Sequence, residues 1–324
     1  MYSQGAALLR SDLRGVVEEA FLQSTLFIGA KVLPPLPVPD RAGQYPYIGK
    51  AAAGLLKNNA KRRGPGADYA RTNRSFTNDN YTCIEYGSEA VVADDNAKDV
   101  GRFFDLEASE TRWKYREVQL AHELRAKATV FAPATFNLTT SATAYTEAAA
   151  GTFDIGLDVD TAKQAIQSRG ESPDGLSAVM SLSVFNRVRA STRLQNRARG
   201  IQSTSAQLVL DAQAVAEALG LKEVIVGAGA YDTSGEGAAT VSMSNIWTDT
   251  YIWLGQIKAA AGPQDYFAGG TGYTLFWQAD AGEIFTVESY REEQKRASII
   301  RCRQTTDEKI VNASSAQLLV TQYS

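Results

Sequence analysis

The spacing of hydrophobic and polar positions changes several times along this chain, and each change predicts a different element. Between residues 5 and 24 apolar side chains recur at helical intervals, which predicts a short amphipathic helix near the amino terminus. The apolar face of this helix carries Leu8, Leu13, Val17 and Phe21. These four positions are the candidate contact residues of the amino-terminal segment.

Four prolines follow the predicted helix: Pro34, Pro35, Pro37 and Pro39. They hold residues 31–41 near the polyproline II conformation, in which the backbone needs no internal hydrogen bonds and can lie across another surface. Two interpretations stay open at this point. The segment carries an arm that exchanges between subunits, or it connects a helix that folds back on its own chain.

Residues 50–77 break the periodic pattern with a segment rich in glycine and arginine. Seven basic residues face one acid, Asp68, and the run Arg62-Arg63-Gly64-Pro65-Gly66 cannot continue a helix or a strand. Alternating positions in residues 81–92 predict a strand that returns from this excursion. Long charged excursions between ordered elements usually contact something outside their own fold, so we expect a neighbouring copy or a polyanion as the target. The basic residues are Lys50, Lys57, Lys61, Arg62, Arg63, Arg71 and Arg74.

A longer stripe of apolar positions predicts one dominant helix over about residues 106–131, here called the spine helix. At ~1.5 Å per residue this helix would span roughly 39 Å. Its predicted buried face includes Trp113, Leu120 and Leu124. Trp113 is expected to fill a large core site, with a contact between subunits as the alternative role.

The remaining positions of the spine helix are predicted to face solvent. Glu110 with Lys114, and Glu123 with Lys127, have the i,i+4 spacing of surface ion pairs. His122 lies beside Glu123 on this polar flank. We predict a solvated helix residue there rather than a catalytic base, because a lone histidine is far more often the former.

After the spine helix, helical stripes and apolar runs alternate, which predicts an inserted α/β lobe over residues 158–282. Three terminal strands follow, and they need the spine helix to cover their apolar face. We therefore predict an α+β protein in which the first and last thirds form one discontinuous domain. The predicted helices are Asp158–Gly170, capped by Asp158, then Val184–Arg199 and Leu210–Leu219. The predicted strands are Leu176–Ser181, Glu223–Val226, Asn245–Ile257, Tyr273–Trp277, Ile284–Tyr290, Ala297–Arg303 and Ala316–Val320.

Composition limits what such a chain can do. With 324 residues, of which 44% are hydrophobic and 21% charged, it can bury a large core. Its formal charge of −3 argues against non-specific nucleic-acid binding by the whole chain, so the basic segment is a local patch. No apolar run is long enough for a signal peptide or a membrane span, and we expect the protein to stay where it is made.

Candidate chemical motifs fail on their spacing. Cys83, Cys302 and His122 match no metal-ligand pattern, and two reduced thiols in a cytosol are the simplest interpretation. The run Gly227-Ala228-Gly229 follows a predicted strand but lacks a third glycine and a helix start. A strand-ending turn is therefore favoured over a dinucleotide site. We predict no catalytic residue, no cofactor and no metal.

Several segments, taken in their order along the chain, carry a resemblance to a known family. They are Tyr81–Tyr86, Arg102–Phe104, Glu123–Arg125, Ser172–Ser181, Leu219–Gly227 and Ile299–Arg303. Preceded by an arm and a basic loop, this order resembles the major capsid protein of tailed double-stranded-DNA bacteriophages, the Hong Kong 97-type fold. The resemblance covers nearly the whole chain and rests on the order of elements rather than on a rigid motif.

The resemblance implies a chain in four parts. Residues 1–44 would form an N-terminal arm, 45–86 an extended loop, 87–157 with 283–324 a peripheral domain, and 158–282 an axial domain. The spine core would hold Trp113, Leu120 and Leu124. The contacts between subunits would come from Leu8, Leu13, Val17 and Phe21 of the arm and from Lys57, Lys61, Arg62, Arg63, Arg71 and Arg74 of the loop.

The implied function is structural. Hexamers and pentamers of the chain would assemble in the host cytoplasm into an icosahedral head, part of the virion, that encloses double-stranded DNA non-specifically. Portal, scaffolding and decoration proteins are expected partners, and a membrane is not. Because the chain leaves no room for an N-terminal scaffolding segment, we expect a separate scaffolding protein or earlier removal of that segment. Truncation at residue 40 is predicted to leave both lobes folded while impairing closed shells.

Two other hypotheses compete with the capsid. An encapsulin-like shell enclosing cargo would share the fold, and only a cargo peptide or neighbouring genes would separate it, although the proline-rich arm favours a virus. An α/β enzyme of unknown reaction is the third hypothesis. The absence of a histidine, cysteine or metal constellation counts against that enzyme.

Overall fold

The computed structural model places helices and strands around two β-sheets that share one long helix. The amino-terminal half of this helix packs on the first sheet and its carboxyl-terminal end packs on the second. The structure describes residues 8–9, 26–47, 58, 60–66, 68–69, 71, 77–100, 105–146, 149, 151–201, 210–235, 237–259, 269–281 and 283–323.

The elements of the described residues are numbered here in chain order. The helices are α1 (Gly29–Val32), α2 (Asp94–Val100), α3 (Leu106–Val130), α4 (Ile155–Ser168), α5 (Leu182–Ala190), α6 (Thr192–Ile201), α7 (Ala212–Leu219) and α8 (Gln278–Ala281). The strands are β1 (Leu8–Leu9), β2 (Pro35–Val38), β3 (Ala42–Tyr47), β4 (Thr77–Thr82), β5 (Ile84–Ala93), β6 (Leu138–Thr140), β7 (Ser177–Ser181), β8 (Glu223–Gly227), β9 (Ala230–Asp232), β10 (Met243–Asn245), β11 (Tyr251–Gly255), β12 (Gly272–Trp277), β13 (Thr286–Glu292), β14 (Ala297–Ile310) and β15 (Gln317–Val320).

The first sheet is centred on the long strand β14. This strand pairs antiparallel with β13 and β12 along one edge and with β5 along the other. Its apolar side chains Ile300 and Cys302 pack with Val92 of β5 against Tyr115 and Val118 of α3. Burial of one such aliphatic side chain contributes about 1.5–3 kcal/mol, so the spine helix and the sheet stabilise each other.

The second sheet has the strand order β6-β15-β11-β7-β8, and both of its faces are covered. Alternate residues of each strand enter different cores. Ala178 and Met180 of β7 face helices α4–α7, whereas Val179 faces α1 and the end of α3. A strand buried on both faces needs consecutive non-charged residues, and all five residues of β7 are buried.

Helix α4 begins one turn earlier than the sequence predicted. Asp154 accepts a hydrogen bond from the Leu157 amide at 3.1 Å and is the N-cap, so the assignment of that role to Asp158 is wrong. Asp158 instead accepts from the hydroxyls of Ser141 and Tyr145, at 2.7 and 2.6 Å. Asp158 is therefore an interior residue of α4, and its hydrogen-bonding partners, Ser141 and Tyr145, lie outside the helix.

The predicted helix Val184–Arg199 is two helices, α5 and α6, which meet at Ser191. Ser191 is buried and extended, and its amide donates to the Val188 carbonyl. The predicted strand Asn245–Ile257 is likewise interrupted, giving β10 and β11. The spacing of apolar residues continues across both breaks, so it did not predict them.

The buried face of the spine helix α3 differs from the predicted one. Trp113, expected in the core, is 69% exposed, so that prediction is wrong. Leu120 and Leu124 are half-buried at the margin of the core around Trp247. Four buried positions are polar, namely Thr111, Gln119, His122 and Glu123. Each of these side chains has a hydrogen-bonding partner, so it can be buried although it is polar.

The described part of the arm packs on its own chain. The backbone of Leu8 and Leu9 pairs with β13, so the predicted helix is wrong at these two residues. The other arm positions, Leu13, Val17 and Phe21, lie outside the described residues. Strand β2, with Leu36 and Val38 buried, adds in parallel to β12 as an edge strand, where prolines are tolerated. Of the two open interpretations, residues 26–38 therefore follow the one that folds back.

The last strand lies in the second sheet rather than with β13 and β14. Leu318 and Leu319 of β15 pair with Trp253 and Ile252 of β11, and on the other edge β15 pairs with β6. The sequence grouped Ala316–Val320 with the other terminal strands. Strands that follow each other along the chain need not lie in the same sheet. Here residues 311–316 lead from β14 in the first sheet to β15 in the second.

Candidate assembly surfaces

The extended loop rises from a two-stranded base that is anchored on the first sheet. Strands β3 and β4 pair antiparallel, from Ala42 opposite Thr82 to Tyr47 opposite Thr77. Tyr45 and Tyr81 are buried with Leu275 of β12 in one cluster. Because this base is packed, the direction in which the loop leaves the body is set by the fold.

The base is further held by polar contacts around Asp79. The Tyr45 hydroxyl donates to this carboxylate at 2.8 Å, and the Lys309 ammonium lies 3.6 Å away. Burial raises the pKa of Asp79, but the hydrogen bonds from Tyr45 and the Asn80 amide, together with the charge of Lys309, outweigh it, so the pKa lies below its usual value. The carboxylate is therefore ionised at neutral pH.

Beyond this base the described loop residues are exposed. Lys61, Arg62, Arg63 and Arg71 all face solvent, and the Arg63 guanidinium lies 4.6 Å from the ring centre of Tyr69, which is itself 73% exposed. Lys57 and Arg74 lie outside the described residues. The loop thus combines a packed base with a cationic, aromatic and solvent-facing tip.

A polar cluster, buried around Glu308 and exposed around Glu117, joins the return strand of the loop to the spine helix. The Arg125 guanidinium stacks on Tyr86 of β5 at 3.7 Å and donates to both carboxylate oxygens of Glu308, at 3.0 and 3.3 Å. Ser88 of β5 donates to Glu117 of α3 at 2.6 Å. These charge-assisted contacts connect β5 and β14 to the spine helix.

His122 lies inside this cluster, so the prediction of a solvated histidine is wrong. The side chain is 3% exposed, with Nε2 3.2 Å from Thr274 Oγ1 and 3.6 Å from Glu308. Burial lowers the pKa of His122 to about 4, although Glu308 opposes this shift. The ring is therefore neutral at physiological pH and acts as a hydrogen-bonding part of the core.

The buried histidine predicts a specific pH dependence of stability. Between pH 6.5 and about 4 the unfolded chain binds a proton that the folded chain does not, so the free energy of unfolding falls as the pH falls. The total loss approaches about 3 kcal/mol. Urea unfolding of unassembled subunits at several pH values should show a shallower pH slope for His122→Gln than for the native chain. Identical slopes would contradict the neutral assignment.

Glu123 is also buried, which contradicts its predicted surface pairing with Lys127. Its carboxylate accepts three hydrogen bonds: from the Ile28 amide at 2.9 Å, the Gly29 amide at 2.6 Å and Trp247 Nε1 at 2.6 Å. Burial raises the pKa of Glu123, and the three hydrogen bonds oppose that rise. This one side chain joins the arm, the spine helix and the inserted lobe.

The exposed face of the spine helix carries Trp113 with Arg112 and Arg116. On the other surface of the first sheet, Ile84 and Val91 of β5 are 52% and 58% exposed. Single exposed apolar residues are ordinary in a soluble protein. A tryptophan exposed this far on an otherwise polar helix face is less common, and it keeps the alternative of a subunit contact for Trp113 open.

Gly227 at the end of β8 and Gly229 just after it have a packing role. A Cβ at Gly227 would overlap the ring of Trp247, and one at Gly229 would approach Ile246 at 2.9 Å. The close approach of residues 246–247 fills the space beside this turn. The expected strand-ending turn is confirmed, because β8 stops at Gly227 and β9 begins at Ala230.

The described residues contain little that points to catalysis. Both thiols, Cys83 and Cys302, are buried, and burial raises the pKa of each to about 12, so neither is a reactive thiolate at neutral pH. Within the same described part of the chain, no three histidine, cysteine or acidic side chains converge as metal ligands. The helices described here also include none that is long and apolar enough to cross a membrane.

Comparison with known proteins identifies the fold. No family model and no curated protein sequence matches the chain. A phage-related protein from Bordetella bronchiseptica RB50 has a TM-score of 0.70 over 98% of both chains, at 21% identity. The capsid of cyanophage P-SCSP1u gives 0.54 over 90% of this chain and 86% of that chain, at 10% identity. The SrpI encapsulin of Synechococcus elongatus PCC 7942 gives 0.51 over 92% and 88%, at 9% identity.

These similarities show that the chain has the fold of phage major capsid proteins, which the encapsulin shares. The resemblance inferred from the order of sequence segments is therefore confirmed at the level of the fold. At such low identities the similarity describes the architecture, and the role of the chain has to be argued from its own surfaces.

Proposed function

We propose that this chain is the major capsid protein of a tailed double-stranded-DNA phage and has a mechanical rather than an enzymatic role. The observation that carries the proposal is the capsid fold along nearly the whole chain, combined with a basic loop whose base is packed and whose described tip is exposed. In this proposal hexamers and pentamers close an icosahedral shell around DNA. They assemble in the host cytoplasm and become part of the virion.

The proposed domains of the chain follow the two sheets. Residues 1–44 serve as the arm, 45–86 as the extended loop, and 158–282 as the axial domain. The spine helix and first sheet form the peripheral domain. Because β15 pairs with β11, we assign residues 317–320 to the axial sheet in this proposal. Portal, scaffolding and decoration proteins are the partners that such a shell would use.

The proposed contacts between copies are carried by exposed residues. Lys61, Arg62, Arg63 and Arg71 are exposed and positively charged. We add Lys57 and Arg74 to this proposed contact from the sequence alone. We assign their partners to acids on a neighbouring copy. Trp113, exposed on the spine helix, is assigned to a subunit contact in place of its predicted core role.

Charge reversal in the loop tests this function. We expect the native chain to form large closed shells in negative-stain images and the double variant Arg62→Glu/Arg63→Glu to stay as folded subunits or capsomers. Like charges would then face each other across a contact repeated in every copy. A penalty of even about 1 kcal/mol per contact is multiplied by cooperative assembly.

The matched control is Arg62→Lys/Arg63→Lys, which keeps both charges and should still assemble. Circular dichroism should give the native spectrum for both variants, since the described tip residues are exposed. If the Glu variant forms normal empty shells and loses only salt-sensitive DNA retention, the loop binds DNA rather than a neighbouring copy. Normal shells with normal DNA content would remove any assembly role for Arg62 and Arg63.

An encapsulin-like cargo shell is the second candidate, favoured by the fold shared with the SrpI encapsulin. Both candidates predict closed particles, so particle formation alone does not separate them. The contents do. Absorbance ratios and gel analysis of particles from the native source should show double-stranded DNA for a phage head and a defined protein for a cargo shell.

A further inference from the structure

A second basic surface lies on the inserted lobe, away from the extended loop. From Gly175 to Leu210 the chain has no aspartate, glutamate or lysine. It has five arginines in this stretch, all within helices α5 and α6. The whole chain has 33 basic and 36 acidic residues, so without these five the rest has 28 basic against 36 acidic. The five are Arg187, Arg189, Arg193, Arg197 and Arg199.

The fold turns this charge outward. Helix α5 buries Val184 and Val188, and helix α6 buries Leu194 and Ala198, in the core against the second sheet. Apart from Leu182, the large apolar side chains of residues 182–199 are thus buried inside the lobe. The basic face is therefore the outer surface of a rigid, packed helix pair, on which Arg189, Arg193, Arg197 and Arg199 are exposed.

The protein compensates only part of this charge. Arg193 contacts Asp154 at 3.3 Å and Arg197 contacts Asp160 at 3.2 Å, and all four side chains are a third or more exposed. Exposed pairs of this kind contribute ~0–1 kcal/mol and can exchange partners at little cost. Among the described residues, neither Arg189 nor Arg199 has an acidic partner.

We propose that the outer face of α5 and α6 binds the phosphodiester backbone of double-stranded DNA. The inference rests on the proposed function, because a shell that encloses DNA is what would bring a duplex to this face. Guanidinium groups bind phosphate oxygens in a bidentate manner, and every charged residue of this face is an arginine. Exposed amide and hydroxyl side chains of the two helices, such as Asn186, Thr192 and Asn196, add neutral donors.

An acidic surface of another copy fits this face less well. Protein interfaces have apolar cores that are depleted of charge, whereas DNA interfaces are polar and strongly positive. Among the residues of α5 and α6 whose side chains are described, the exposed ones are arginine, asparagine and threonine, with Leu182 and Ala190 as the exposed apolar residues. Weak binding per copy would suffice, because a shell presents the same face many times to one polymer.

The test measures binding of unassembled full-length chain to a labelled duplex of mixed sequence over a range of salt concentrations. We expect the double variant Arg189→Ala/Arg199→Ala to reduce the slope of log K against log salt by about 1.8, since each lost phosphate contact removes about 0.9. The matched control, Arg62→Ala/Arg63→Ala in the extended loop, should leave the slope unchanged.

Particle formation by the same variants separates this inference from the proposed function. Normal shells with a reduced slope and less retained DNA would support it. An unchanged slope would overturn it. Loss of shells in a folded Arg189→Ala/Arg199→Ala variant would also overturn it, in favour of a contact between copies. If the native chain forms no shells but its slope still depends on Arg189 and Arg199, the proposed function fails while the DNA site stands.

Discussion

Deletion of residues 1–40 is expected to unfold the chain rather than to release an arm. Truncation at this point looks harmless from the sequence, because a proline-rich segment resembles a linker. The structure contradicts that expectation. Strand β2 is hydrogen-bonded to β12, and helix α1 is held by the carboxylate of Glu123.

The size of the effect follows from what the deletion removes. Five apolar residues of this segment are buried, at about 1.5–3 kcal/mol each. Their sum is comparable with the whole stability of a typical domain, about 5–15 kcal/mol. The deletion would also expose the edge of β12 and leave Glu123 without its backbone donors. The five residues are Ile28, Val32, Leu33, Leu36 and Val38.

A shorter truncation is the matched control. Deletion of residues 1–25 keeps all five buried residues, and we expect that chain to unfold cooperatively in urea. The longer deletion should instead give insoluble protein or a spectrum without a cooperative transition. A soluble 41–324 fragment with native thermal stability would contradict the packing of residues 26–38 described here.

Several elements could be predicted from the sequence because one local signal dominates each of them. The bounds of the spine helix were predicted within one residue, although the apolar stripe that predicted it is not its buried face; in the structure Asp105 caps its first turn at Ala108. Strands β7 and β8 were found as short apolar runs, which a strand covered on both faces requires. The described residues between 58 and 71 contain no helix or strand, as glycine, proline and clustered arginine predicted.

The rest could not be predicted from the sequence because it depends on partners distant along the chain. Glu123 and His122 have the same local pattern as surface residues, and only Ile28, Trp247 and Thr274 make their burial stable. The prediction for Trp113 was wrong in the opposite sense: the residue was expected to be buried because it is apolar, but it is exposed. The second-sheet position of β15 has no local signal, because its partner β11 lies more than sixty residues away.

The second large effect concerns Glu123 itself. Glu123→Gln is expected to lower the free energy of unfolding by about 3 kcal/mol or more, although the side chains are nearly identical in shape. All three groups around the carboxylate are donors: the Ile28 and Gly29 amides and Trp247 Nε1. A glutamine keeps one acceptor oxygen and turns an NH₂ group toward a donor, so at least one buried N–H loses its partner.

The measurement is the urea midpoint at neutral pH, with the m-value used to confirm an unchanged unfolding transition. Glu110→Gln on the same helix is the control, because Glu110 is only partly buried and its substitution should change stability by less than about 0.5 kcal/mol. Equal midpoints for the two variants would show that Glu123 does not hold the junction. A large loss for Glu123→Gln alone would establish that a single buried carboxylate joins the arm, the spine helix and the inserted lobe.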